Sequence, residues 1–295
     1  MNADSRLTQA KSSSWVPQPD GVRSPAVALW HTLLRGMAVL NVVLWSISAL
    51  SVTSAEAVTH TGTDATLYMQ LLLSAVYVLG CGFRSFFTVY DIPRLVLVDS
   101  RLSSVVVGRS VATLAEVCFA AQWALILHRV AVLAHSPLGQ AVSIAIVPLI
   151  VLAQGCCWHA VLTTAQRGHI VENSIWGLSA ALVVISLLVI GPYRLADLYP
   201  PMIAWCAGGI LYAGFMFFFD VPMYWSRWVA DQTNKRQYLS IPQGMVDVSR
   251  RWTASYRWED WKSEVLWMSL YFSVGVWISI SLVYASLALD AHRIF

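Results

Sequence analysis

The stretch Ser103 to Ala134, SSVVVGRSVATLAEVCFAAQWALILHRVAVLA, is long and apolar enough to cross a bilayer, yet it carries Arg109, Glu116 and Gln122. A charged side chain at bilayer depth costs about 2.5–3.5 kcal/mol even on a lenient insertion scale, so such groups face a protein interior or a wet cavity. At about 3.6 residues per turn, Arg109 and Glu116 stand two turns apart on one stripe, with Thr113 between them. A guanidinium, a hydroxyl and a carboxylate aligned in this way mark the place from which the rest of the chain is read.

The composition agrees with a membrane setting. Of 295 residues, 57% are hydrophobic and 12% charged, and the mean hydropathy is +0.61. An ordinary soluble domain carries about 25% charged residues. Seven segments reach the roughly 20 residues that a helix needs to cross about 30 Å of hydrocarbon. They lie near 26–51, 67–88, 104–134, 140–164, 172–192, 201–224 and 264–289. Pro137 precedes the fourth, Gly191-Pro192 closes the fifth and Pro200-Pro201 opens the sixth. The expected fold is an all-α integral membrane protein, a seven-transmembrane-helix bundle. The first 25 residues are polar and lack the apolar core and cleavage site of a secretory signal, so they read as a retained cytosolic tail ahead of one membrane domain over 26–295. Cys81, Cys118, Cys156, Cys157 and Cys206 all fall inside spans at no metal-ligand spacing and read as small packing residues.

Positive charge sets the orientation, because cytoplasmic loops retain Lys and Arg. With the N-terminus inside, the inner segments hold Arg6, Lys11, Arg23, Arg84, Arg94, Arg101, Arg109 and Arg167, together with Arg227, Lys235, Arg236, Arg250, Arg251, Arg257 and Lys262. The outer segments hold only Arg129, Arg194 and Arg293. The N-terminus is therefore expected in the cytoplasm and the C-terminus outside. Sixteen of the 19 basic residues are arginine, a bias associated with GC-rich bacterial genomes, which points to a bacterial inner membrane.

Two inner connections read as more than linkers. Residues 89–103 mix Asp91, Arg94, Asp99 and Arg101 with Ile92, Leu95, Val96 and Val98, a pattern that predicts a short helix lying on the inner surface. Residues 225–263 carry Trp225, Trp228, Trp252, Trp258 and Trp261 among arginines, as expected of chain resting at headgroup level. This loop also offers a surface for a protein partner. No nucleic-acid partner is expected, and no internal repeat supports an inverted-repeat transporter.

The ionisable residues of the spans gather near the inner leaflet. The fourth span sets His159, Thr163 and Gln166 on a stripe antiparallel to Arg109, Thr113 and Glu116, and helix counting puts Glu116 and His159 at matching depth. Arg167, His169, Glu172 and Asn173 crowd the turn into the fifth span. Tyr212, Met216 and Asp220 descend the sixth span in steps of four, followed by Tyr224 and Arg227, and the seventh opens with Glu264, Trp267 and Tyr271. A pore needs polar lining along its whole length. The outer half offers little beyond Gln122, Gln154 and a few hydroxyls, so a site open to the inner leaflet fits better.

The reading that follows is a membrane-embedded enzyme acting on a lipid or isoprenoid-like substrate. Glu116 and Asp220 serve as acid and base, and His159 as proton shuttle. Arg109, Thr113, Gln166, Glu172, Asn173 and Tyr224 line the substrate site, with Arg109 as anion anchor. No metal is expected, since HxxxH and HExxH are absent. The cofactor is not legible: His31 and His159 lie at matching depth for axial ligation of a haem, a match chance produces easily, and the seventh span lacks the lysine a retinal would need. A proton-coupled transporter using Glu116, or a non-catalytic partner or sensor subunit docking through 225–263, are the alternatives.

Overall fold

The computed structural model describes residues 24–59, 65–191 and 199–291. The tail expected over the first 25 residues lies almost wholly outside them. Among the described residues, seven helices are long and apolar enough to cross a membrane, and the chain is a polytopic, all-helical bundle. The first five spans are single helices: α1 Pro25–Thr59, α2 Ala65–Phe86, α3 Val105–Leu133, α4 Pro137–Thr163 and α5 Arg167–Ile190. The sixth joins α6 Tyr199–Phe215 to α7 Val221–Thr233 through a π-helical turn, Met216–Asp220. The seventh joins α10 Val265–Leu270 to α11 Val276–Ala291 through a second π turn, Tyr271–Gly275.

The helix ends are cut by local chemistry. Ser136 caps α4 by accepting from the Gly139 amide, and Pro137 stands in the first turn, where its missing N–H costs nothing. A Cβ on Gly139 would sit 2.7 Å from Ala131 Cβ, so glycine lets α3 and α4 close as a tight hairpin. At the other end of α4, Thr164 turns the chain at φ 63°, and Gly168 brings α5 against the Cys156 carbonyl, 2.5 Å from where a Cβ would stand. The spans pack as neighbours α1–α2–α3–α4–α5–α6, with the seventh wedged against α1, α2 and α3. Midway along, Gln70, Gln122, Ser279 and Ser74 form a closed polar clasp: Gln70 Nε2 donates to the Gln122 carbonyl at 2.9 Å, and Ser279 Oγ to Gln122 Oε1 at 2.6 Å. In a medium without water, such groups must satisfy one another.

One end of the bundle bears a folded cap, and here two expectations are corrected. Residues 89–103 do not form a surface helix. They make a hairpin, β1 Val89–Tyr90 against β2 Leu95–Val96, and only Arg101–Ser103 turns as a short 3-10 helix. Val89, Leu95, Val96 and Leu97 are buried, a density of β-branched and apolar residues that suits a strand, while Pro93 and Arg94, at φ 78°, occupy the turn. Residues 225–263 are likewise not a loop but folded chain. The first nine extend the sixth span as α7; Ile241–Arg250 fold as α8; β3 Thr253–Ala254 adds in parallel to β2; and Trp258–Trp261 form the short α9. Trp261 is fully buried, packing on Trp30 and donating to the Ser255 carbonyl, and Trp252 donates to Asp99. Trp225 and Trp258 remain exposed, as do Ile241 and Met245 on the outer face of α8.

Arg94 pins this cap to the bundle. Buried, it donates to Asp247 Oδ2 on α8 at 2.9 Å, to the Val161 carbonyl on α4 at 2.7 Å and to the Asp91 carbonyl at 2.8 Å. Beside it, Gly244 of α8 lies so close to the end of α4 that a Cβ would stand 2.1 Å from the Leu162 carbonyl oxygen. Gly244→Ala is therefore expected to push α8 off α4 at a cost of about 1–3 kcal/mol, read as faster protease cleavage within 234–263 at unchanged helical content.

Candidate functional site

The Arg109 stripe is built as α3 presents it and completed by α4. Arg109 Nη2 donates to Glu116 Oε2 and to Gln154 Oε1, both at 2.8 Å, and Gln154 Nε2 donates to the same Glu116 oxygen at 2.6 Å. Thr113 Oγ1 donates to Gln154 Oε1 and accepts from Trp158 Nε1. Glu116 Oε1 accepts from the Tyr271 hydroxyl at 3.1 Å, at the π turn of the seventh span. From the cap, Asp91 Oδ2 approaches Arg109 Nη1 at 3.8 Å. Both oxygens of Glu116 are engaged, whereas Arg109 Nε and Asp91 Oδ1 are buried with no partner.

A second group adjoins the first. On α5, His169 Nδ1 pairs with Glu172 Oε2 at 2.8 Å, one turn apart on a single face. Cys157 of α4 faces them: its sulfur and the ligand atoms of His169 and Glu172 lie within 4.8 Å of one another. The Tyr224 ring lies on the His169 imidazole with centroids 4.8 Å apart. Asn173 donates to Asp220 Oδ2 at 2.5 Å, across to the π turn of the sixth span. Asp220 is half-buried and follows Phe217, Phe218 and Phe219, which are exposed on the outside of the bundle. Tyr212, one turn before Met216, stands within electrostatic range of Glu116, Asp220 and Glu172, and so links the two groups. Its ring leans on Trp267, which stacks on Phe215 and neighbours Tyr271, giving a half-buried aromatic wall.

At the cap, Tyr90, Arg227 and Glu264 close the arrangement. Arg227 Nη1 donates to the Tyr90 hydroxyl at 3.4 Å, and its guanidinium covers the Tyr224 ring. Burial, then the negative Glu264, push the Tyr90 phenol up to about 12. Burial also holds the Glu264 carboxyl above its ordinary range; Ser263, Arg227 and Tyr90 pull the other way, and Asp91 adds to the rise.

Of the residues picked from the sequence, the structure brings Arg109, Thr113 and Glu116 together as one unit, and Glu172, Asn173, Asp220 and Tyr224 as its neighbours. His159 does not join them. The α4 face that meets α3 carries Gln154, Trp158 and Val161, and a residue next to Trp158 is turned about 100° away. His159 instead lines an outward groove of about 540 Å³ with Val151, Leu152, Gly155, Cys156, Arg167, Gly168 and Val171. The residue level with Glu116 is Gln154. Gln166 is buried at the head of α5 and its Oε1 has no partner. Asp91, Cys157 and His169 join the site in the structure without being expected there from the sequence. Their only sequence signal was the i, i+3 spacing of His169 and Glu172, since Asp91 and Cys157 meet the site through tertiary contacts. A comparison of the chain with protein-family models, curated proteins and solved structures finds no match.

Removing one member of a buried ion pair strands the other, at about 3–5 kcal/mol. Arg109→Leu is expected to cost that much, and Arg109→Leu with Glu116→Leu distinctly less, in a double-mutant cycle of denaturant unfolding in detergent. Glu264 gives a pH signature. Its folded carboxyl keeps a proton that the unfolded chain has lost above about pH 4.3, so stability falls as pH rises through the window between the ordinary and the raised value. Thermal melts are expected to show that decline, and Glu264→Gln to flatten it.

Proposed function

We propose that this chain is a membrane-embedded enzyme acting by acid/base chemistry on a lipid or isoprenoid-like substrate, with its site at the capped end of the bundle and the cap in the cytosol of a bacterial cell. The observation that carries the reading is the gathering of Glu116, Glu172 and Asp220, from three spans, with Glu264 at the cap, beside the aromatic wall of Tyr212, Phe215, Trp267 and Tyr271. The excess of Lys and Arg on that side supports the orientation. Both contributing π turns sit at the cluster, and π turns often mark functional positions.

The geometry divides the roles. Glu116, saturated by Arg109, Gln154 and Tyr271, holds the helices and the Tyr271 ring in place. Asp220, with one hydrogen bond from Asn173 and a position beside the exposed Phe217–Phe219 run, is the carboxyl an amphipathic molecule entering from the bilayer meets first. The imidazole beside these carboxyls is that of His169, next to Glu172 and under the Tyr224 ring, and not that of His159, which lines the outward groove. Arg109 is committed to Glu116 and Asp91, so the half-buried Arg227 is the guanidinium placed to meet an anionic headgroup.

The test is conversion of lipid. The purified chain in nanodiscs of bacterial total lipid is expected to generate a new product by mass spectrometry, slowed on the order of 100-fold by Asp220→Asn at an unchanged melting temperature. Absence of any product from the wild type, with a proton flux across sealed vesicles that Asp220→Asn abolishes, would replace the enzyme by a proton-coupled transporter.

A further inference from the structure

The sequence offers no metal-ligand spacing, because the donors come from two helices. The fold brings together Cys157 of α4 and His169 and Glu172 of α5, all buried, their ligand atoms within 4.8 Å of one another. We propose that Cys157, His169 and Glu172 form a binding site for a divalent transition metal of the zinc class. This goes beyond the enzymatic reading and does not rest on it.

Four features support the site. The tight turn at Thr164 and the backbone contact at Gly168 lock α4 against α5, so Cys157 faces the first turns of α5 in a fixed register. The i, i+3 spacing of His169 and Glu172 puts both donors on one face, and Gln166, three residues earlier, continues that stripe. Gln166 is buried and its Oε1 is left without a partner, an unusual cost inside a bundle. The Tyr224 ring on His169 sets the plane of the imidazole, as outer contacts do for metal-bound histidines.

Charge points the same way. The interacting carboxylates Asp91, Glu116, Glu172, Asp220 and Glu264 outnumber the guanidiniums Arg84, Arg109 and Arg227 that act on the same groups. Without a metal, His169 offsets one charge of Glu172, the Cys157 thiol donates to Glu172, and Gln166 Oε1 stays unpaired. A divalent cation offsets two and engages the thiolate. Arg109 does not repel it decisively, because its charge is met by Glu116 and Asp91. Sulfur, imidazole nitrogen and one carboxylate oxygen select zinc or its tetrahedral surrogates over magnesium or calcium, which take oxygen shells. Zinc–ligand lengths of about 2.0–2.3 Å require the three donors to close by side-chain rotation alone.

The experiment uses the full chain, grown in zinc-replete medium and purified in detergent without chelator. About one equivalent of zinc per chain is expected by elemental mass spectrometry, falling roughly tenfold in Cys157→Ser and in His169→Ala but unchanged in His159→Ala. Cobalt exchanged into the wild type is expected to give visible d–d bands with a near-ultraviolet thiolate charge-transfer band; in Cys157→Ser saturated with excess cobalt the charge-transfer band is absent. Wild-type protein without zinc that also takes up no cobalt overturns the site, as does zinc retained in full by both variants. If the variants do not fold, the cobalt spectrum of the wild type decides: a missing thiolate band rejects the proposal. None of these readouts depends on lipid conversion, so the two readings fail separately.

Discussion

The buried pairing of Arg109 with Glu116 is the constraint from which the rest of the bundle follows. In a low-dielectric interior two ions repay their desolvation when further hydrogen bonds engage the carboxylate, even though Arg109 Nε is left without a partner. Glu116 meets that requirement by drawing on three helices: Arg109 from its own, Gln154 from α4 and Tyr271 from the seventh span. Each contact fixes a rotation. α4 must present Gln154 and Trp158 to α3, which turns His159 outward, and the seventh span must present Tyr271, which places its π turn at that level. Arg109 also reaches Asp91, so the pair is tied to the cap as well as to the helices.

The cap is the second organising unit. Arg94 joins three separate chain segments through its hydrogen bonds, and Gly244 allows α8 to rest on the last turn of α4. This closes one end of the bundle with a small mixed sheet and buries Trp261 against Trp30. The charged side chains therefore lie between a folded cap and an apolar helical body. The Gln70–Gln122–Ser279 clasp lies on the other side, and beyond it the buried Arg129 donates to Ser286. Beyond it the contacts are dominated by Ile126, Leu127, Val130, Ile146, Ile150, Leu187 and Leu282.

Within this frame the acidic groups are not equivalent. Glu116 is saturated and holds position. Glu172 faces a histidine and a thiol. Asp220 stands at the wall of the bundle with one amide for company, and Glu264 sits under the cap beside Tyr90. One chemical type in four surroundings is what a bundle needs to separate scaffold from reactive surface, and tertiary packing alone creates the difference.

The amino-acid sequence carries the seven apolar helical spans and the polar end of the bundle, because hydropathy, helix breakers and charge within apolar segments are local properties that survive any packing. It also determined the Arg109–Thr113–Glu116 stripe, since helical periodicity is a property of the backbone. Which faces meet is set by tertiary packing. Helix rotation chose Gln154 over His159 as the partner of Glu116. Strand pairing between residues far apart in the chain turned the 89–103 segment into a hairpin and buried Trp261. The contact of Cys157 with His169 and Glu172 likewise depends on the register of α4 against α5, set by the turn at Thr164 and the close approach at Gly168, and one-dimensional spacing carries no trace of it.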